Sequence, residues 1–148
     1  VDHHCIGIGF QLAMCADRII ATENTTFTMP ELKGGIACTI GSYMLETVFS
    51  RSMMLDLTFS CKPLDIYKAV DLGFVANVTS SKHIVSQAER ESLRCQSFPE
   101  TSFKTTKLSR NREFITGLTD ISNQSKEAHT QSFKQKTAEA YMYNILNR

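Results

Sequence analysis

Ile6-Gly7-Ile8-Gly9-Phe10-Gln11-Leu12-Ala13-Met14-Cys15-Ala16-Asp17, followed after a short gap by Phe27-Thr28-Met29-Pro30-Glu31 and Gly35-Ile36, decides how this chain folds. Two glycines flank one apolar residue where apolar side chains at helical spacing begin, so a strand is predicted to end there and a helix to open. The first four N–H groups of a helix lack partners within it. A turn at Gly7-Ile8-Gly9 therefore presents donors and a partial positive charge to an anionic oxygen. The second segment offers one carboxylate, Glu31, able to face those donors. Together they suit an enolate.

Taken alone, a Gly-x-Gly before an apolar helix also serves close packing of a strand on a helix. A dinucleotide fingerprint is excluded because its third glycine would fall at Leu12. A P-loop is excluded because no Gly-Lys-Ser/Thr follows.

The 148 residues, 42% of them hydrophobic, suffice for one domain with a buried core. A formal net charge of +1 gives no electrostatic case for nucleic acid or an anionic membrane surface. The apolar runs are too short to span a bilayer, and no cleavable leader pattern opens the chain. Cys5, Cys15, Cys38, Cys61 and Cys95 are odd in number and lack C-x-x-C spacing, which favours free thiols in a reducing compartment. The expected location is the cytoplasm, or an organelle matrix if a targeting sequence lies upstream. Neighbouring histidines on a strand point to opposite faces, so His3 and His4 do not form a metal site with Cys5 and no metal is expected. His83 and His129 lie in surface-like helical contexts and receive no role.

Asp2 to Ile6 reads as the end of a buried strand and Gly9 to Cys15 as an apolar helix. Arg18 to Ala21 and Thr25 to Met29 read as short strands, the second closed by Pro30. Helical spacing returns over residues 41–49 and 52–58. Asp65 is suited to cap a helix from Ile66 to Leu72 that Gly73 stops, and Phe74 to Val78 reads as a strand. Beyond Ser81 the pattern is helical, in segments 82–96, 99–115, 119–132 and 136–147.

The ordered set of motifs resembles the enoyl-CoA hydratase/isomerase (crotonase) superfamily. Leu12-Ala13-Met14-Cys15-Ala16-Asp17, Ile20-Ala21, Phe27, Pro30-Glu31 and Gly35-Ile36 take the family's order, and Ala69-Val70-Asp71-Leu72-Gly73-Phe74-Val75-Ala76-Asn77-Val78 resembles its Ala-x-x-x-Gly-Leu-Val-x-x-Val segment. The resemblance implies an α/β, crotonase-like fold, the C-terminal part of a ββα superhelix, followed by a C-terminal helical region. Residues 1–80 would form part of the α/β core and residues 81–148 a helical region for oligomerisation or a lid. A further segment upstream would supply the other oxyanion N–H and much of the CoA-binding surface.

The same resemblance implies an enzyme that acts on an acyl-CoA or acyl carrier protein thioester, needs no other cofactor and assembles as a homotrimer or hexamer. Phe133, Tyr141, Ile145 and Leu146 would cover either a neighbouring subunit or the chain's own core, and Lys136 and Arg148 are candidates for CoA phosphates. Catalytic residues by this reading are Glu31, the Ile8 backbone N–H and Gln11, with Gly7, Gly9, Phe27, Pro30 and Gly35 shaping the substrate site. Glu31 could equally cap the turn after Pro30. Gln11 stands where hydratases carry a second acid, and a neutral amide exchanges no proton near neutral pH. Isomerisation through one carboxylate is therefore the expected reaction, with hydration, dehydration, decarboxylation or a silent acyl-CoA-binding scaffold as alternatives. The Ile8 side chain is expected to point into the core. His3, Thr39 and Ser42 replace glycines common in the family.

Overall fold

The computed structural model describes residues 1–147, the side chains of Thr137 and Ile145 excepted. The chain runs β1 (His4–Ile6), α1 (Ile8–Met14), β2 (Ile20–Thr22), β3 (Thr26–Thr28), a 3-10 turn (Leu32–Gly34), α2 (Thr39–Val48), α3 (Arg51–Ser60), β4 (Leu64–Asp65), α4 (Ile66–Asp71) and β5 (Asn77–Thr79). A second 3-10 turn (Ser81–His83) leads into α5 (Ile84–Gln96), α6 (Glu100–Lys134) and α7 (Thr137–Leu146). Helices dominate.

Parallel strands need a crossover, and α1 with β2 supplies the one between β1 and β3. Cys5 stands opposite Phe27 in that pair, and β4 adds antiparallel with Leu64 opposite Phe27. A second, two-stranded parallel sheet pairs β2 with β5. Helix α1 buries Phe10 and Met14, one turn apart and so on the same face. Phe10 meets Phe27 at 5.3 Å between ring centres, and Phe74 meets Phe27 and Phe49 at 5.1 Å each. These tilted and edge-on aromatic contacts form the centre of the core and hold β3 from beneath.

Asp65 accepts the Lys68 N–H at 2.8 Å and caps α4, while Gly73, at φ +71°, turns the chain out of it. Asp65→Ala is expected to cost about 1 kcal/mol, read as a lower urea midpoint at unchanged slope.

Several elements differ from the sequence reading. Residues 99–115 and 119–132 belong to one helix, α6, which continues through Gly117 because no proline interrupts it and Tyr43 packs over the glycine. Phe74 and Val75 are buried but precede strand β5, their side chains filling the core rather than a ladder. Of β1, only Cys5 is buried. Helix α6 lies along α2 in the opposite direction, Tyr43 meeting Phe114 and Ala37 meeting His129. Helix α7 returns so that the Tyr141 ring sits against Gly34, 3.3 Å from where a Cβ would stand. Phe133 and Leu146 stay exposed, while the expectations placed on Ile145 and Arg148 lie outside the described residues. Among the described residues no helix is long and apolar enough to cross a membrane.

Candidate functional site

The turn between β1 and α1 is held by its backbone. Gly7, at φ +55° and ψ −117°, donates its N–H to the Thr28 carbonyl at 2.9 Å and accepts the Gln11 N–H at 3.0 Å. The end of β1 is thereby tied to the end of β3. Ile8 is the first helical residue, and its N–H has no acceptor among the described residues. Its side chain is 69% exposed, correcting the expectation that it enters the core. With Phe10 and Met14 on the inner face, a side chain two residues before Phe10 falls on the opposite side of the helix.

Past Pro30, the Glu31 carbonyl accepts the N–H groups of Gly34 at 3.0 Å and Ile36 at 2.9 Å, which pins the backbone. Gly35, at φ +70°, closes this turn in the left-handed region. The Glu31 carboxylate extends over the Gly7 turn: Oε1 lies 3.2 Å from where a Cβ on Gly7 would stand and accepts from Gln11 Nε2 at 3.3 Å. Oε2 is buried and finds no hydrogen bond of ordinary geometry among the described residues.

Burial raises the Glu31 pKa above the usual carboxylate range, opposed in lesser degree by its own N–H, the Gln11 amide, the Cys38 thiol and the charge of His129. Burial first, and the Glu31 charge second, push the Cys38 thiol up to about 12. Cys38 therefore remains protonated near neutral pH and is no nucleophile.

Two site residues are placed otherwise than expected. Phe27 is wholly buried in the aromatic core and supports the strand instead of facing a ligand. His129, given no role from sequence, is half-buried, with Nε2 2.9 Å from the Ala37 carbonyl. A carbonyl only accepts, so Nε2 carries the hydrogen. The signal that finds His129 is the spacing along α6: Phe114, Leu118, Ile121, Ser125, His129 and Ser132 recur at three or four residues and are all partly or fully withdrawn from solvent.

The arrangement joins a free backbone donor at a helix start, a carboxyl group of raised pKa and a neutral amide within hydrogen-bond reach of it. It can hold an oxyanion while one group moves a proton.

Residues 1–146 match the family model described as "Enoyl-CoA hydratase/isomerase". Over all 148 residues the chain is 32% identical to a carboxymethylproline synthase of Pectobacterium carotovorum subsp. carotovorum, of which it covers 59%. Over 121 residues, 81% of the chain and 47% of the relative, it is 25% identical to a probable enoyl-CoA hydratase of Mycobacterium bovis. The chain thus spans about half to three fifths of these relatives' length. Among solved structures, ThnE from S. clavuligerus superimposes with a TM-score of 0.81 at 27% identity, covering 86% of this chain and 61% of that one. An enoyl-CoA hydratase from Mycobacterium avium subsp. paratuberculosis gives 0.84 at 21% identity, over 97% and 61%, and speaks to the fold alone.

Proposed function

Because the chain belongs to the enoyl-CoA hydratase/isomerase family, we propose that it stabilises the enolate of an acyl-CoA thioester, with the Ile8 N–H as one oxyanion donor and Glu31 as the group that moves the proton. One observation supports this reading: the Glu31 carboxylate lies over the turn whose next N–H has no acceptor among the described residues. A thioester oxygen accepting from that N–H would bring its α-carbon toward Glu31. Electron density moving from the breaking α-C–H bond onto the oxygen is stabilised by the donor, while the proton passes to the carboxylate.

Gln11 holds the carboxylate without competing for the proton. A hydration that uses two acids therefore lacks its second acid here. Return of the proton at another carbon gives double-bond isomerisation, for which one carboxylate suffices. A second fate is favoured by the carboxymethylproline synthase relative, whose similarity runs the length of the chain. Its name joins a carboxymethyl group to proline; on this reading the enolate's α-carbon forms a bond to a carbon electrophile, which takes up the electron pair, and water then cleaves the thioester to leave the carboxylate and release the CoA thiol. Both fates share the same oxyanion. Assembly as a trimer or a pair of trimers belongs to this reading and is checked by light scattering.

The test is α-proton exchange. Incubated with an acyl-CoA in D2O, the whole protein is expected to introduce deuterium at the α-carbon, read as a mass gain. No exchange above the buffer rate overturns the proposal. Parallel incubations with 3-enoyl-CoA, and with an acyl-CoA plus a cyclic imine, separate the two fates by product mass. Glu31 accepts a proton only when ionised, and burial raises its pKa. The exchange rate is therefore expected to rise with pH through a midpoint above the ordinary glutamate range, about 4.3.

A further inference from the structure

We propose that Gln11 turns its carbonyl oxygen, and not its amide hydrogens, toward the ligand, and so selects a carbon electrophile that carries an N–H on a cation, a cyclic iminium. The inference rests on the enolate reading of the same site and deepens it, naming the class of the second substrate and the side chain that reads it.

Gln11 stands near the start of α1, its own N–H bound to the Gly7 carbonyl at 3.0 Å. Helical side chains lean toward the N-terminus, which lays this one over the turn at Gly7 and Ile8. There Nε2 lies 3.3 Å from Glu31 Oε1 and 3.9 Å from Met29 Sδ, and Met29 is wholly buried. An ionised carboxylate and a thioether have no hydrogen to give, so the nitrogen of the amide must be the atom that faces them. Chemistry thus fixes the sense of the amide. Two acceptors for two hydrogens leave the nitrogen nothing to offer a ligand.

What remains is the carbonyl oxygen of Gln11, with its lone pairs. It has no donor among the described residues and, unlike Glu31 Oε2, is not shut away from solvent. An acceptor beside a carboxylate suits a donor, and a cationic N–H best, because a charged donor makes the stronger hydrogen bond. A neutral ketone or aldehyde brings only acceptors and is repelled. A protonated C=N group meets the demand: its N–H donates to the Gln11 oxygen, and its carbon is the electrophile. The α-carbon of the enolate forms the bond to that carbon, the C=N π pair moves to nitrogen, and the cation becomes a neutral amine. The α-proton stays on Glu31. Migration of a double bond asks for no such donor, so the sense of this one amide separates the two fates.

The experiment titrates the whole protein with 1-pyrrolinium and with N-methyl-1-pyrrolinium, following the ring protons by NMR without an acyl-CoA, so that nothing turns over. The second probe keeps the ring, the charge and the electrophilic carbon but has no N–H. The unaltered protein is expected to bind the first at least about tenfold more tightly, the usual worth of a hydrogen bond to a charged group. In Gln11→Leu, similar in size and without an acceptor, the ratio is expected to fall near one. The ratio reads the contact itself, since damage to the fold or to Glu31 weakens both probes alike. No preference in the unaltered protein overturns the inference. So does a preference that survives in Gln11→Leu, because the added methyl is then refused by shape. Should Gln11→Leu not fold, Gln11→Asn, which draws the oxygen back by one carbon, decides by the same ratio. With an acyl-CoA added, 1-pyrrolinium is expected to give a product in which the acyl group is joined to the ring. Exchange of the α-proton without that product overturns the assignment of the electrophile. The titration needs no chemistry, so a failure of α-proton exchange removes the enolate reading and leaves the preference between the probes standing.

Discussion

Glu31→Gln is expected to lower α-proton exchange about 10³-fold, within the usual contribution of a positioned acid or base, and at the same time to make the protein more stable near neutral pH. The first effect follows because an amide of the same shape can keep the contact with Gln11 but cannot take a proton. The second follows from burial. A carboxyl whose pKa is raised in the folded state favours its protonated form there, so its contribution to stability is full below the unfolded pKa and is lost as pH rises through the folded one. At pH 7.5 the ionised Glu31 is therefore a burden that the uncharged amide removes, and a rise in Tm of about 2 °C is expected. Near pH 3, where Glu31 is protonated in both states, the two proteins are expected to melt together. A fall in Tm at pH 7.5 would mean that the carboxylate is a structural cap, the role that the turn after Pro30 also permits. Equal exchange rates would remove Glu31 from the chemistry. The paired measurement separates a group held for function against its own solvation from one that merely closes a turn.

What was legible in the chain was local. Gly7 demands a backbone that side-chain-bearing residues avoid, Asp65 has a free helix N–H within reach three residues on, and Gly73 ends what Asp65 begins; each signal lies within a few residues of its effect. Glu31 and Gln11, twenty residues apart, could be joined only through the ordered motifs that resemble a family, and they lie together with 3.3 Å between amide and carboxylate.

What escaped was set by tertiary packing. The helix from Glu100 to Lys134 reads as two because Gly117 weakens the pattern, and only the Tyr43 ring, seventy-four positions earlier, explains why the helix passes through it. His129 is flanked by Glu127, Ala128 and Thr130 and resembles an exposed face until Ala37 is placed beside it. Phe27 matched a motif position of the family, yet its ring is spent on the core, and the motif's polar half does the facing. The direction of Ile8 was decidable from the positions of Phe10 and Met14 alone, had α1 been taken to start one residue earlier.

Gly7→Ala is expected to slow exchange about 10²-fold, as losing one oxyanion donor does, and to destabilise the protein by about 2 kcal/mol, whereas Gly9→Ala is expected to leave both nearly unchanged. The two glycines sit two residues apart in one motif and look equivalent in sequence. They are not equivalent in space. At Gly7 the backbone holds φ +55° with ψ −117°, outside the left-handed helical region that a non-glycine residue can visit, and the hydrogen bond to Thr28 at 2.9 Å prevents the peptide from rotating freely. A methyl group added there would also meet Glu31 Oε1 at 3.2 Å, so the chain must either unwind the turn, which reorients the Ile8 N–H, or push the carboxylate off it. Both responses separate donor from base. At Gly9 the added methyl meets only Cys5 Sγ at 3.9 Å, an ordinary contact, and φ is not positive. Alanine also suits the first turn of a helix better than glycine does, which offsets any small loss of packing. Urea unfolding and deuterium exchange on the two variants read this contrast directly. Equal losses at both positions would show that the motif is needed for strand-on-helix packing in general, while a loss confined to Gly7 ties it to the angle at which one N–H meets one carboxylate.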